Sequence, residues 1–128
     1  SMGEYSKALE YYEKSLEIWK KTLPANHPSL ATSYNNIGLV YKSMGEYTKA
    51  LEYYEKDLEI SKKTLPANHP DLAQSYNNIG WVYRNKTDYK KALDYYERAL
   101  DIRQRSLPSN HPDIQDVKKS IDFVKKKL

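Results

Sequence analysis

The sequence of 128 residues contains no cysteine, which excludes disulfide bonds and thiolate metal sites. This absence suits a reducing compartment, and we expect a cytoplasmic protein. The sequence also lacks an apolar run long enough to cross a bilayer, and its start does not read as a signal peptide, so no membrane partner is expected. Ser1-Met2 looks like an expression scar and is left out of the fold prediction.

Positive charge is only slightly in excess. The sequence contains 21 Lys and Arg and 17 Asp and Glu, which gives a net charge of +4. The densest part of this excess lies in residues 112–128, which hold five lysines and three aspartates. Lysines suit the C-terminal end of a helix and keep a chain end soluble. We therefore expect no nucleic-acid partner.

Glycine is scarce, with four residues in the chain, and no glycine run is present that could cradle a phosphate. The sequence also offers no nucleophile beside a base and no loop longer than about seven residues that could form a pocket. We therefore expect no enzyme, no catalytic residues and no cofactor.

A fixed period of 42 residues runs through the sequence. Tyrosine recurs at positions 5, 47 and 89, proline at 24, 66 and 108, and histidine at 27, 69 and 111. Residues 3–44 and 45–86 differ at only nine of 42 positions, whereas the third copy diverges after Pro112. Such a period predicts a stacked array in which each unit buries its apolar face against its neighbours.

Each unit resolves into two helices, named A and B here. In residues 28–43 the side chains of Tyr34, Ile37 and Tyr41 share an arc about 100° wide, as an amphipathic helix requires. Pro66 ends the following helix because proline lacks the N–H that the helix needs. Short connections make neighbouring helices antiparallel, so the fold class is all-α. The predicted helices cover residues 5–22 (B), 28–43 (A), 47–64 (B), 70–85 (A), 89–106 (B) and 112–126 (A-like).

The unit resembles the tetratricopeptide repeat. The matching positions are Tyr34, Ile37, Gly38, Tyr41, Ala50 and Tyr54, repeated at Tyr76, Ile79, Gly80, Tyr83, Ala92 and Tyr96. The 42-residue form, with Tyr-Asn-Asn-Ile-Gly in helix A and His-Pro opening the next one, is similar to the repeats of kinesin light chains. One departure is Leu65-Pro66, where light chains more often carry Leu-Gly.

The resemblance implies a right-handed α-solenoid of antiparallel helix pairs, a superhelix that starts with a B helix and ends in a capping A-like helix. It implies one repeat domain over residues 3–128, with a half repeat at 3–27, repeats at 28–69 and 70–111, and the capping helix at 112–128. Its concave groove, lined by A helices, would bind an extended peptide of a protein partner. We expect the N-terminal end to be cut from a longer array.

The 13 tyrosines fall on five positions of the repeat, so we interpret them as packing residues whose hydroxyl group contacts water, called a wet hydroxyl below. His27, His69 and His111 occupy one turn position in successive units, which helix packing places about 15–20 Å apart. Ligands of one metal ion must approach it far more closely than that. We therefore expect helix capping by these histidines and no metal site.

The arc of helix A opposite its core arc is predicted to line the groove. Asparagine amides there can hold a peptide backbone, and Asn36 and Asn78 match the asparagine that many tetratricopeptide grooves use. The structural alternative is that surface helix positions are simply polar. The predicted peptide-binding residues are Thr32, Asn35, Asn36, Leu39, Lys42, Ser43, Gln74, Asn77, Asn78, Trp81, Arg84 and Asn85.

Trp81 is predicted to be exposed on this arc, with Leu39 and Phe123 at the equivalent positions, and an exposed aromatic side chain among amides suggests a binding anchor. The carboxylate-clamp subclass is disfavoured because Thr32 and Gln74 stand where it carries Lys or Arg. Two cations that border the arc, Lys42 and Arg84, could contact acidic ligand residues.

The two ends of the array are predicted to differ. The first B helix has no A partner in the sequence and should expose one apolar side, formed by Ala8, Leu9, Tyr12 and Leu16. The last helix replaces core positions with Lys118, Asp122 and Lys125, as a solubilising cap should. A homo-oligomer formed through the N-terminal helix is therefore a hypothesis.

Three functions are compatible with the sequence. A peptide-binding module is favoured, and a structural, self-associating repeat module without a groove ligand is the alternative. An RNA-reading helical repeat comes third, because such repeats need a basic face to meet phosphates and the predicted groove has few charges.

Overall fold

The computed structural model of the chain describes residues 2–128, apart from the side chain of Met2, so Ser1 of the predicted expression scar lies outside the described residues. Residues 2–128 form six α-helices and no strand, which confirms the all-α prediction. The first helix begins three residues earlier than predicted and the last ends one residue later. The helices are α1 (Met2–Thr22), α2 (Pro28–Ser43), α3 (Tyr47–Thr64), α4 (Pro70–Asn85), α5 (Tyr89–Ser106) and α6 (Pro112–Lys127).

The three A-type helices α2, α4 and α6 start in the same way. Each has proline at its first position, where a missing N–H costs nothing, and histidine as its N-cap. Nδ1 of His27 accepts a hydrogen bond from the N–H of Ser29 at 3.1 Å, and His69 and His111 repeat this bond at 3.0 and 3.1 Å. The predicted capping role of the histidines is therefore confirmed.

The turns between A and B helices need a left-handed residue. Gly45 has a φ of 79° in the turn from α2 to α3. Thr87 holds the equivalent place between α4 and α5 with a φ of 64°. A β-branched residue is strained in this conformation, at a cost of about 1–3 kcal/mol.

The chain divides into two compact units. Unit 1 ends at Thr64 and contains α1, α2 and α3, whereas unit 2 comprises Leu65–Leu128 with α4, α5 and α6. In each unit the A-type and B-type helices of one pair form the most extensive contact, α2 with α3 and α4 with α5.

The core of unit 1 corrects the prediction for α1. Leu16 is only 8% exposed, and Leu9 and Tyr12 pack against the same cluster, which contains Leu30 and Ile37 of α2. Because α2 covers this side of α1, it is not the open side that the sequence predicted. Among the described side chains of α1, the large apolar ones that are exposed are instead Tyr11, Ile18 and Trp19.

The core of unit 2 joins α5 to α6. One cluster of buried residues there consists of Ala92, Tyr96, Val117, Ile121 and Val124. The charged residues that α6 carries at core positions of the earlier copies, Lys118, Asp122 and Lys125, are exposed. Charge therefore occupies the side of α6 that α2 and α4 use for packing.

Within each pair, a tyrosine ring of the B helix lies on a glycine of the A helix. A Cβ atom added to Gly38 would lie 2.8 Å from Cδ1 of Tyr54, and one added to Gly80 would lie 2.9 Å from Cδ1 of Tyr96. Both distances are too short for real carbon atoms. Glycine is therefore required for the ring to approach the backbone of helix A.

These two tyrosines depart from the prediction of a wet hydroxyl. Tyr54 and Tyr96 are each 1% exposed. The hydroxyl of Tyr54 is buried and has no hydrogen-bond partner within the described residues. Burial, together with the nearby carboxylate of Asp57, raises the pKa of Tyr54 to about 12.

A second layer of tyrosines covers the outer edge of each pair. In unit 1 Tyr53 stacks on Tyr41 with ring centroids 5.7 Å apart and lies 6.2 Å from Tyr34. Lys56 lies over the rings of Tyr34 and Tyr53, and Lys49 lies over Tyr41, at 5.1–5.5 Å from the centroids. Such cation–π contacts stabilise the pair. The equivalent cluster of unit 2 consists of Tyr76, Tyr83, Tyr95, Lys91 and Arg98.

We expect Gly80→Ala to lower the free energy of unfolding by about 1–3 kcal/mol, because the new methyl group must push the ring of Tyr96 away. Gly3→Ala is the matched control, since nothing lies within 4 Å of a Cβ at this helical position. It should leave stability unchanged or raise it by about 0.5–1 kcal/mol through helix propensity. Urea unfolding measures both changes, and equal effects of the two substitutions would contradict this account of the glycine.

Stability should fall as the pH rises from about 10 towards about 12. Over this range the unfolded chain releases the proton of Tyr54 while the folded chain retains it, so the deprotonated unfolded state gains in population. Tyr54→Phe should reduce this dependence without loss of stability at pH 7, because the hydroxyl makes no hydrogen bond within the described residues. Urea unfolding at pH 7 and pH 11 checks both outcomes. An unchanged pH slope, or a large loss at pH 7, would show that the hydroxyl is not an isolated buried group.

Candidate functional site

Six of the predicted peptide-binding residues lie on α2, on the arc that we call the α2 arc. Their exposure differs along the helix. Leu39 is 47% exposed, which is high for a large apolar side chain. Asn35 and Asn36 beside it are half-buried, so only part of each amide can reach a ligand. The complete α2 arc is Thr32, Asn35, Asn36, Leu39, Lys42 and Ser43.

Lys42 is half-buried at the C-terminal end of the α2 arc. Burial lowers the pKa of its ammonium group because the charged form loses hydration. A ligand carboxylate beside Lys42 would favour the charged form again. This end of the α2 arc therefore suits an acidic group.

The α4 arc, which consists of Gln74, Asn77, Asn78, Trp81, Arg84 and Asn85, contains a chain of hydrogen bonds. The side-chain NH2 of Gln74 donates to Oδ1 of Asn78 at 2.9 Å. Oε1 of Gln74 in turn accepts from a guanidinium NH2 of Arg103 at 3.1 Å. The amide of Asn78 is therefore oriented from within the protein before any ligand arrives.

Arg103 is a supporting residue that the sequence reasoning missed. It lies on α5, is only 8% exposed, and also donates to the backbone carbonyl of Asp113 at 3.4 Å. Its guanidinium group thereby connects α4 to the start of α6. One feature of the sequence could have identified Arg103. It is a charged residue at a repeat position where the other copies have Trp19 and Ser61.

Trp81 is less exposed than predicted. The structure leaves it half-buried, whereas Leu39 and Phe123 at the equivalent positions are 47% and 41% exposed. A side chain as large as an indole seldom leaves most of its surface in water. The backbone carbonyl of Trp81 accepts a hydrogen bond from the amide of Asn85 at 2.8 Å. The exposed apolar side chains at this position of the repeat are therefore Leu39 in unit 1 and Phe123 in unit 2.

Phe123 joins α6 to the site in unit 2. The guanidinium carbon of Arg84 lies 4.7 Å from the ring centroid of Phe123, and the ammonium group of Lys127 lies 5.5 Å from it. The two cations hold an apolar ring at the surface between positive charges. This combination can receive an apolar side chain together with a carboxylate.

Two surface depressions lie on B-type helices, away from the A-type arcs. One near Leu58 has a volume of about 500 Å³ and one near Leu16 about 390 Å³. The positions that line them are equivalent in the repeat, and exposed lysine–glutamate pairs at 3.3 and 3.6 Å flank them. Such pairs are typical of a solvated helix face. The lining residues are Glu55, Leu58, Glu59, Lys62 and Lys63 in one, and Glu13, Leu16, Glu17, Lys20 and Lys21 in the other.

Residues 2–128 contain no group of three or more His, Asp or Glu side chains that could hold a metal ion. Among the same residues, no helix combines the length and the apolar character needed to cross a membrane. The α2 and α4 arcs themselves carry amides, cations and apolar side chains.

Comparison with known proteins agrees with the repeat pattern. A family model described as tetratricopeptide repeat matches the sequence twice, over residues 1–63 and 33–105. No curated protein matches the sequence.

Several solved structures have a similar fold. The "kinesin light chain nearly identical TPR-like repeats" of Podosopora anserina are 26% identical with a TM-score of 0.87, and the match covers 97% of this chain and 59% of that one. BtubC (BKLC) from P. vanneervenii is 28% identical with a TM-score of 0.89, over 97% of this chain and 50% of that one. The apo form of RapI is 25% identical with a TM-score of 0.82, over 98% of this chain and 33% of that one.

These structures confirm the predicted fold class, a solenoid of tetratricopeptide repeats of the kinesin light chain type. This chain spans only part of the length of each of them. The likeness therefore concerns the repeats that the chain contains.

We expect Arg103→Met to lower the free energy of unfolding by about 1–2 kcal/mol, because it removes two charge-assisted hydrogen bonds and keeps most of the side-chain volume. Arg105→Met is the matched control, since Arg105 pairs with Asp101 at 3.3 Å on the exposed side of α5. Its loss should change stability by about 0–0.5 kcal/mol. Urea unfolding compares the two, and an equal, small effect would mean that Arg103 does not support the α4 arc.

Proposed function

This chain belongs to the tetratricopeptide repeat family, and from that premise we propose that it is a protein-interaction scaffold that binds an extended peptide along its A-type helices. Proteins with these repeats generally act as scaffolds for other proteins. Each unit presents its own proposed contact surface, the α2 arc in unit 1 and the α4 arc with Phe123 in unit 2. The proposed role is binding without catalysis, in the cytoplasm, a location that the absence of cysteine suits.

One observation carries this proposal. Two A-type helices carry a large, exposed apolar side chain at the same position of the repeat. Leu39 on α2 is 47% exposed and Phe123 on α6 is 41% exposed. Single exposed apolar side chains are common on protein surfaces, but two of them at the same position of the repeat suit the anchors of a binding surface.

The neighbouring groups suggest how the peptide would be held. The amides of Asn36 and Asn78 can bond the peptide backbone without selecting particular side chains. The cations Lys42 and Arg84 favour acidic residues in the ligand. The expected ligand is therefore an extended peptide that combines apolar and acidic residues.

Self-association through the N-terminal helix remains a second candidate because of one observation. Tyr11 and Ile18 of α1 are 68% and 59% exposed, which is more than Leu39 or Phe123. Burial of these side chains against another polypeptide would be favourable.

The test is selection of random peptides on phage against the unmodified protein and two double variants. Leu39→Ser with Phe123→Ser removes the exposed apolar anchor of each unit. Tyr11→Ser with Ile18→Ser removes two apolar side chains of α1 that are even more exposed, and it is the matched control. We expect peptides that bind the unmodified protein and the control but bind the anchor variant at least about tenfold more weakly.

Circular dichroism must first show that all three proteins have the same helix content. Peptides that bind the anchor variant as tightly as the unmodified protein would contradict the proposed surface. A lack of enriched peptides from a folded protein would contradict peptide binding by this chain.

A further inference from the structure

The three A-type helices start from turns with the same backbone hydrogen bonds. The N–H of His27 donates to the carbonyl of Pro24 at 3.0 Å, and the histidines of the other two turns make this bond to their own prolines at the same distance. In each turn Nδ1 of the histidine then accepts from the N–H two residues later. The three starts therefore differ in their side chains rather than in their backbone.

The histidine cap requires a neutral imidazole. Nδ1 can accept a hydrogen bond only while it has a lone pair, so the proton of the neutral ring is on Nε2. Protonation places a hydrogen on Nδ1 as well, and this atom then becomes a donor that faces another donor. The ring also gains a positive charge at the positive end of the helix dipole. Histidine is the side chain that ordinarily changes its charge between pH 5 and pH 8.

The residue two positions after the cap differs between the helices. α4 and α6 have Asp71 and Asp113 there, each with a carboxylate oxygen 3.9 Å from Nδ1 of its histidine. A rotation of the imidazole would let a protonated Nδ1 donate to this carboxylate. α2 has Ser29 instead, and its first turn contains no acidic residue. α2 therefore lacks the charged acceptor that would replace the cap after protonation.

The neighbouring helices of unit 1 do not supply a carboxylate to His27. Among the described residues, a carboxylate pairs with His69 and with His111 but not with His27. The last turns of α1 and α3 run towards the start of α2, because helices joined by short connections are antiparallel. Glu17 and Glu59 lie one turn earlier and pair with lysines of these turns at 3.6 and 3.3 Å. The cations of the two turns are Lys20, Lys21, Lys62 and Lys63.

In unit 2 the last turn of α5 also carries cations, but carboxylates are present beside the histidines. The carboxylate of Asp113 lies 4.0 Å from the guanidinium group of Arg103, so His111 shares its acceptor with an arginine. The carboxylate of Asp71 pairs with His69 alone among the described residues. α4 is therefore the internal reference for α2. The cations of this turn are Arg103 and Arg105.

We propose that the start of α2 is an acid-sensitive switch formed by His27 and Ser29. Below about pH 6 the ring of His27 takes up a proton, releases the N–H of Ser29, and the first turn of α2 opens. The open turn gains in population as the pH falls, because the capped turn disfavours the proton and the open turn does not. The starts of α4 and α6 remain closed, since a carboxylate receives the protonated ring there. The switch concerns the folding of α2 and does not depend on the proposed function.

The experiment is NMR of the isotope-labelled protein at a series of pH values from 8 to 5, the range in which histidine titrates. Imidazole nitrogen shifts report the proton on Nδ1 of each histidine, and Cα shifts report helix at each start. As His27 is protonated, we expect residues 28–31 to lose at least about half of their helical Cα displacement, because the cap is lost. Residues 70–73 should keep theirs.

Exchange of the second residue between the two helices is the matched test. Ser29→Asp gives α2 the carboxylate of α4 and should keep residues 28–31 helical at pH 5. Asp71→Ser gives α4 the start of α2 and should make residues 70–73 lose their helical displacement at pH 5. Both variants should match the unmodified protein at pH 8, where circular dichroism checks the helix content.

His27→Asn tests whether the imidazole is the titrating group. Asparagine is a good N-cap and carries no charge at any of these pH values, so the start of α2 should stay closed from pH 8 to pH 5. An acid response that persists in this variant would mean that another group controls α2, and it would overturn the proposal.

Three further outcomes would overturn the proposal. The first is a helical start of α2 at a pH where the nitrogen shifts show that His27 is protonated. The second is an equal acid response of α2 and α4 in the unmodified protein. The third is an unchanged acid response of α2 in Ser29→Asp, because the missing carboxylate would then not be the cause.

Discussion

The contact between a tyrosine ring and a glycine backbone fixes the arrangement of each helix pair. Tyr54 on Gly38 and Tyr96 on Gly80 bring helix B so close to helix A that no Cβ atom fits between them. This contact uses one arc of helix A, and the opposite arc takes no part in it. The positions of Leu39, of the asparagines and of Lys42 on α2 follow from it, because a helix that is fixed on one side presents a defined set of residues on the other.

Most of the fold could be predicted because it depends on local and repeated signals. Proline and histidine mark the start of each A-type helix, and the period of 42 residues repeats the signal three times. The glycine and tyrosine of the pairing contact were also visible as repeated positions. The period did not predict which side of α1 packs against α2. A B-type helix has two apolar sides, and the sequence does not show which of them faces the next A-type helix.

The candidate site was predictable at the level of its helices and less so at the level of single residues. Leu39 and Phe123 are exposed as expected, whereas Trp81 is half-buried. The bonds from Arg103 to Gln74 and from Gln74 to Asn78 depend on a residue that is unique to the third copy. A comparison of repeats finds what recurs, so contacts made by a single copy have to be found in the structure.

The central claim is that the arcs of the A-type helices receive a peptide. Two-dimensional NMR of the side-chain NH2 groups tests it most directly, during titration with a peptide obtained by selection against this protein. We predict that the side-chain signals of Asn35 and Asn36 in unit 1 and of Asn77 and Asn78 in unit 2 shift to saturation, while the backbone amides of the exposed residues of α3 stay unchanged. Shifts confined to the B-type helices, with unchanged asparagine signals, would contradict the account.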